Sequence, residues 1–137
     1  MIAALPRRLG LAALAVLAAL PALAQTPMNG EEFDAYTRGK TLYFYSGGVA
    51  YGVERYKPDR RVTWSFLDGE CKDGTWYEDG DRICFVYEDL GPDQCWTFYR
   101  EDGGLRAMFQ DDPQSTTLYE AGEAQEPMSC LGPEVGV

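Results

Sequence analysis

Four cysteines carry the most restrictive chemistry in this chain of 137 residues. They include no C-x-x-C pair, and the chain has no histidine, so a structural zinc site is not expected. Disulfides are the simpler use of four cysteines in an exported protein, and three connectivities are possible. We favour Cys84 with Cys95, which would join neighbouring strands across a turn. Cys71 would then pair with Cys130 and attach the C-terminal segment to the rest of the domain.

Carboxylates are the other abundant reactive groups, but their positions indicate turns rather than catalysis. Without histidine, the commonest general base and the usual serine and cysteine triads are missing. Residues 78–81 also lack the alternating ligand pattern of a calcium loop. We therefore predict no catalytic residues, no metal site and no cofactor. Five aspartates adjoin glycines, where their side chains accept hydrogen bonds from nearby backbone amides: Asp68, Asp73, Asp79, Asp81 and Asp102.

Aromatic side chains on the predicted strands are the remaining candidates for a site. They could line a cavity for an apolar ligand, as in small closed barrels. An eight-stranded barrel is only just wide enough for its own side chains, so we expect these residues to fill the core instead. The six candidates are Trp64, Phe66, Trp76, Phe85, Trp96 and Phe98.

The N-terminal segment predicts export. Arg7 and Arg8 precede an apolar run, and a small-x-small motif at residues 22–24 fits signal peptidase. The apolar run is shorter than the roughly 20 residues that span a bilayer, so no membrane anchor is expected after cleavage. We predict a signal peptide at residues 1–24, a single domain at 25–137, and a periplasmic or secreted location.

The mature chain is strongly acidic, with 10 basic and 22 acidic residues and a net charge of −12. Such a surface disfavours nucleic acid and anionic lipid, which basic patches recognise. Its simplest role is solubility, and the alternative is attraction to a cationic protein. One basic cluster exists at Arg60–Arg61, beside Glu54–Arg55. We expect it to form surface ion pairs, with an anionic ligand as the alternative.

The pattern of the mature chain is that of a mainly β domain. Residues 26–39 predict one helix, with Asn29 as cap, Glu32 completing a capping box and Gly39 as a left-handed stop. Seven or eight short alternating segments follow, and tight turns such as Asp79–Gly80 join them without room for crossover helices. An antiparallel meander results, which we expect to close into a small up-and-down, lipocalin-like barrel, with a two-sheet sandwich as the alternative. Residues 121–137 predict an irregular tail.

The segment from Tyr51 to Tyr99, with the strand at 103–109, resembles a group of small exported proteins of Gram-negative bacteria, which are domains of unknown function. The resemblance implies an exported β domain and supplies no catalytic residues. It covers most of the mature chain. Its most specific part is a progression of G-x-W, I-C-F and C-W motifs at Gly74 and Trp76, residues 83–85, and Cys95 and Trp96.

The function that these features favour is that of a non-enzymatic exported module for binding or interaction. One alternative is an acidic inhibitor or neutraliser of a cationic protein, such as a lysozyme or an antimicrobial peptide. A second is a barrel that binds a small apolar ligand. A carboxylate-dependent hydrolase is the least favoured class, because no carboxylate pair stands out from the turn residues.

Overall fold

A computed structural model describes residues 1–3, 18–19, 25–110 and 116–130. The predicted signal peptide lies outside the described residues except for those at 1–3 and 18–19, and residues 131–137 of the predicted tail also lie outside them. Within the described part of the chain, no helix has the length and apolarity needed to cross a membrane.

In the described part of the chain, eight antiparallel strands follow one short helix and form a closed barrel. Each strand pairs with the next along the chain, and β1 also pairs with β8, so the sheet has no free edge. The predicted up-and-down barrel is therefore confirmed, and the sandwich alternative is excluded. The elements are α1 (Gly30–Thr37), β1 (Thr41–Ser46), β2 (Val49–Lys57), β3 (Arg61–Ser65), β4 (Lys72–Asp79), β5 (Arg82–Tyr87), β6 (Gln94–Glu101), β7 (Gly104–Phe109) and β8 (Thr117–Glu123).

Short hairpin turns set the register between strands. Gly47 and Gly48 connect β1 to β2, and both have positive φ, at 56° and 79°. A two-residue turn with this geometry matches the right-handed twist of the strands it joins. Gly80, in the predicted turn between β4 and β5, also has positive φ, at 63°. The meander topology thus follows from local backbone preferences.

The helix has the predicted N-terminal cap and covers one end of the barrel. The Asn29 side chain accepts from the Glu32 amide, and the Glu32 side chain accepts from the Asn29 amide. Helical structure ends at Thr37, two residues before Gly39, which has the expected left-handed conformation. Phe33 is fully buried, and its ring contacts four aromatic rings of the barrel wall: those of Tyr56, Trp76, Phe85 and Phe98.

Both predicted disulfides are present. Cys84 and Cys95 are register partners on β5 and β6, with Cα atoms 4.0 Å apart. Cys71 joins Cys130 with Cα atoms 5.4 Å apart, and this bond links the start of β4 to the segment after β8. The barrel wall and the C-terminal segment are therefore each fixed by one covalent bond.

Two details differ from the sequence expectation. Phe66, predicted to point inward with Trp64, is 45% exposed, because β3 ends at Ser65. Leu67 then has a positive φ of 66°, so the chain turns away and the alternation of the strand stops. Strand β8 also continues to Glu123, three residues into the predicted tail, because its last residues pair with β1.

Candidate functional site

The two ends of the barrel differ in how they are covered. Because the strands alternate in direction, the turns at 58–60, 80–81 and 102–103 lie at the end where α1 packs. The longer connections at 66–71 and 88–93 lie at the opposite end, together with the turn at Gly47–Gly48. We call this the open end.

A cavity of about 40 Å³ lies inside the barrel. This volume holds about one to three water molecules. The aromatic side chains therefore fill most of the interior, and the cavity is the space they leave. Its lining is aromatic and aliphatic apart from a few polar groups, and it consists of Phe44, Tyr51, Glu54, Tyr56, Trp64, Phe66, Phe85, Tyr87, Gln94, Trp96, Phe98, Ala107 and Leu118.

A shallow depression at the open end adjoins the cavity. We call it the vestibule; its volume is about 520 Å³, and its wall includes Leu90, Pro92 and Phe109. Four side chains line both the vestibule and the cavity, so they form the boundary between them: Tyr51, Phe66, Gln94 and Trp96. The entrance to the barrel interior is therefore made largely of aromatic rings.

Further apolar side chains are exposed at the same end. Val49 is 70% exposed beside the β1–β2 turn, and Leu67 is 44% exposed beside Phe66. The ring of Phe66 contacts those of Tyr51 and Trp64, with centroids 5.9 and 5.3 Å apart. We call these three exposed side chains at the open end, Val49, Phe66 and Leu67, the apolar rim.

Glu54 places a buried carboxyl group in the cavity wall. Its side chain is 1% exposed, and the Tyr87 hydroxyl donates to it across the barrel, 2.7 Å from Oε1 and 3.0 Å from Oε2. Burial raises the pKa of Glu54 well above its ordinary value, and the hydrogen bond from Tyr87 opposes only part of this shift. Burial therefore favours the protonated, uncharged form of this carboxyl group.

Two tyrosines lie close to Glu54: Tyr56 is buried and Tyr87 is partly buried. Burial, followed by the proximity of Glu54, raises the pKa of both Tyr56 and Tyr87 well above 10. Both hydroxyls therefore keep their protons at neutral pH.

Trp64 contributes a second polar group. Its side chain is 7% exposed, and its Nε1 atom has no hydrogen-bond partner within the described protein. Gly52 allows the ring to lie against β2, because a Cβ atom at Gly52 would come within 2.2 Å of Trp64 Cζ2. A buried donor without a partner is costly unless water or a ligand occupies the adjacent space.

The structure brings together five of the six aromatic candidates from the sequence. Trp64, Phe66, Phe85, Trp96 and Phe98 line the cavity. The sixth, Trp76, is buried near the other end, where its ring contacts Phe33.

Glu54 is the residue that sequence reasoning misplaced. It was expected among surface ion pairs near Arg60–Arg61, but its side chain points into the barrel. Arg60 instead covers the face of the Trp76 ring, 4.5 Å from its centroid. The signal that could have located Glu54 is its spacing of two from Gly52 and Tyr56, since alternate residues of a strand share one face.

A second polar cluster lies on the outer surface beside α1. Tyr36 donates to Glu120 over 2.7 Å, while Lys40 and Arg100 each contact the Tyr36 ring, 3.9 and 4.0 Å from its centroid. Partial burial and the hydrogen bond to Glu120 raise the pKa of Tyr36 to about 12. These contacts attach the helix to the barrel wall and leave the cluster with a structural role.

Comparison with protein-family models, with curated proteins and with solved structures gave no match.

Proposed function

We propose that the protein is an exported, non-enzymatic binding module that takes a small, mainly apolar ligand at the open end of its barrel. The observation that carries this proposal is the aromatic cavity behind the apolar rim, with a buried indole N–H that lacks a partner. A concave, largely apolar site with a few polar groups is the usual form of a small-molecule site.

The apolar rim supports entry from this end. An apolar side chain whose only role is to pack in the core is normally buried. Val49, Phe66 and Leu67 are instead all exposed at the open end of the barrel. Grouped exposed apolar residues commonly mark a surface that binds something.

The size of the cavity limits how a ligand can lie. A cavity of about 40 Å³ has room for only one small chemical group of the ligand. The rest of the ligand would occupy the vestibule, against Phe66 and Leu90. The ligand would thus have one end inside the barrel and an apolar body at the rim.

Export is supported by the two disulfides and by the predicted signal peptide. Disulfides form and persist in oxidising compartments such as the bacterial periplasm. Both bonds also fix segments that border the open end, since Cys71 precedes β4 and Cys95 lies next to Gln94 of the entrance.

A neutral apolar fluorophore, N-phenyl-1-naphthylamine, tests the proposal by titration into the mature protein. We expect saturable fluorescence enhancement and a loss of about tenfold or more in affinity for Phe66→Ser, because burial of a phenyl ring is worth about 1.5–3 kcal/mol. Tyr119→Ser is the matched control, since Tyr119 is 49% exposed on the outer wall and lines neither cavity nor vestibule. No saturable binding, or equal losses for the two variants, would reject the proposal.

A further inference from the structure

Glu54 and Trp64 present two hydrogen-bonding groups to one cavity from adjacent strands. They are register partners of β2 and β3, so their side chains extend on the same face of the sheet. Both line the cavity, and both are more than nine-tenths buried. The two side chains therefore line the same interior site from neighbouring strands.

The indole of Trp64 can only donate a hydrogen bond. Its Nε1 atom is buried and has no acceptor within the described protein. The cavity that the Trp64 side chain lines has room for a small acceptor.

The carboxyl group of Glu54 also has a donor to offer. The Tyr87 hydroxyl donates its own proton to the Glu54 oxygens, so when the carboxyl group is protonated its proton is left for another acceptor. Both donors belong to side chains that line the cavity, and none of its other polar groups, the Tyr51 and Tyr56 hydroxyls and the Gln94 amide, accepts from the indole.

We propose that the ligand carries an uncharged oxygen acceptor, such as a ketone, aldehyde or ester carbonyl, which enters the cavity and accepts from Trp64 Nε1–H and from the Glu54 carboxyl group. A carbonyl oxygen has two lone pairs and can accept both bonds. This inference rests on the proposed function and specifies the chemistry of its ligand.

The charges around the cavity favour a neutral ligand. None of the lining side chains is a lysine or an arginine, so an anion would lose its hydration without gaining a counter-ion. A cation would gain the aromatic faces and an ionised Glu54, but it would leave the Trp64 N–H without an acceptor. A neutral carbonyl satisfies both donors without burying charge.

Three probes of nearly equal shape separate these possibilities: acetophenone, its hydrocarbon isostere α-methylstyrene, and the cation 1-phenylethylammonium. Binding to the full mature chain is followed by two-dimensional ¹H–¹⁵N NMR. The chain has three tryptophans, and the Trp64 indole signal is identified by its loss in Trp64→Phe. We expect acetophenone to move this signal downfield and to bind about tenfold more tightly than α-methylstyrene.

Matched variants test each donor. Trp64→Phe should reduce the preference for acetophenone to about twofold or less, whereas Trp76→Phe, which removes a buried indole that does not line the cavity, should keep it. Glu54→Gln keeps a donor and should retain the preference, and Glu54→Met should lose it. The two Glu54 variants provide the test even if Trp64→Phe does not fold.

The outcomes distinguish this inference from the proposed function. Equal binding of acetophenone and α-methylstyrene would overturn the inference and leave an apolar binding site. Tighter binding of 1-phenylethylammonium would also overturn it, in favour of a cation site. If none of the probes binds and the indole signal stays in place, this inference is rejected, while the N-phenyl-1-naphthylamine titration decides the proposed function separately.

Discussion

The hydroxyl of Tyr87 bridges both carboxyl oxygens of Glu54 across the interior of the barrel, at 2.7 and 3.0 Å. The bond joins β2 to β5, which are not neighbours in the sheet. It is therefore a contact through the core rather than along the wall. Because burial raises the pKa of this carboxyl group, its protonation couples the stability of the barrel to pH.

Glu54→Gln should stabilise the protein more at neutral pH than in acid. Folding raises the pKa of Glu54 above its ordinary value of 4.5. The stability that the folded state gains from the protonated carboxyl group is therefore fully present below pH 4.5 and is lost as the pH rises towards the folded pKa. Each pH unit in this window costs about 1.4 kcal/mol. Glutamine does not titrate and keeps the acceptor for Tyr87.

Thermal unfolding of both proteins between about pH 4 and pH 8 tests this prediction. We expect the melting temperature of Glu54→Gln to exceed that of the wild type by a margin that grows with pH. Glu88→Gln, at an exposed position near the open end, is the control and should show no growing margin. Parallel pH profiles for Glu54→Gln and wild type would contradict the prediction.

Asp73→Asn should have the opposite pH dependence. The Asp73 carboxylate accepts from the Thr63 hydroxyl at 2.7 Å and lies 3.4 Å from Lys57 Nζ, and these contacts lower its pKa. A lowered pKa gives stability that is present above the ordinary value of 3.8 and is lost as the pH falls through the folded pKa. The variant should therefore be less stable than wild type at pH 7, and the difference should shrink as the pH falls below 3.8, as measured by urea unfolding. A constant difference across this range would contradict the assignment.

Phe33→Ala should destabilise the domain by about 3–5 kcal/mol, the cost typical of deleting a buried phenyl ring. Phe33 has no exposed surface, and its ring connects the helix to the core. Tyr77→Ala serves as a control because Tyr77 is 40% exposed. Denaturant unfolding measures both, and a loss for Phe33→Ala no larger than that of the control would show that the helix does not contribute to the core.

The two disulfides should differ in their contribution to stability. Cys71–Cys130 spans 59 residues and Cys84–Cys95 spans 11, so chain entropy predicts losses of roughly 4 and 3 kcal/mol when each pair is replaced by serine. Urea unfolding of the two double variants measures this order. Peptide mapping of unreduced protein should recover only these two pairs, and labelling should find no free thiol; a Cys71–Cys84 peptide would refute the connectivity.

The architecture was predictable because it depends on local signals. The Gly47–Gly48 turn, the Asn29 cap and the alternation of short apolar segments each act over a few residues, and together they leave only an antiparallel meander. Closure of the barrel was harder to predict from the sequence. It depends on pairing between β1 and β8, and no local pattern in either strand specifies that partner.

The polar part of the site could not be predicted in the same way. Charged residues normally lie outside, and Glu54 adjoins Arg55 in the sequence, so a surface position was the expectation. Its burial depends on Tyr87, 33 residues away, which supplies the hydrogen bond. Phe66 was misplaced for a different reason, because the strand ends one residue before it.

The pairing of β1 with β8 has a consequence for how the chain acquires its structure. Leu42 has Glu123 as its partner, so the first strand gains its second neighbour only after nearly all of the following chain is available. Long-range pairing of this kind makes folding slow relative to helical domains of similar size. A chain that emerges N-terminus first, whether from a ribosome or through a membrane pore, therefore cannot close the barrel before β8 has emerged. Until then the barrel is incomplete, and the chain can still pass through a pore.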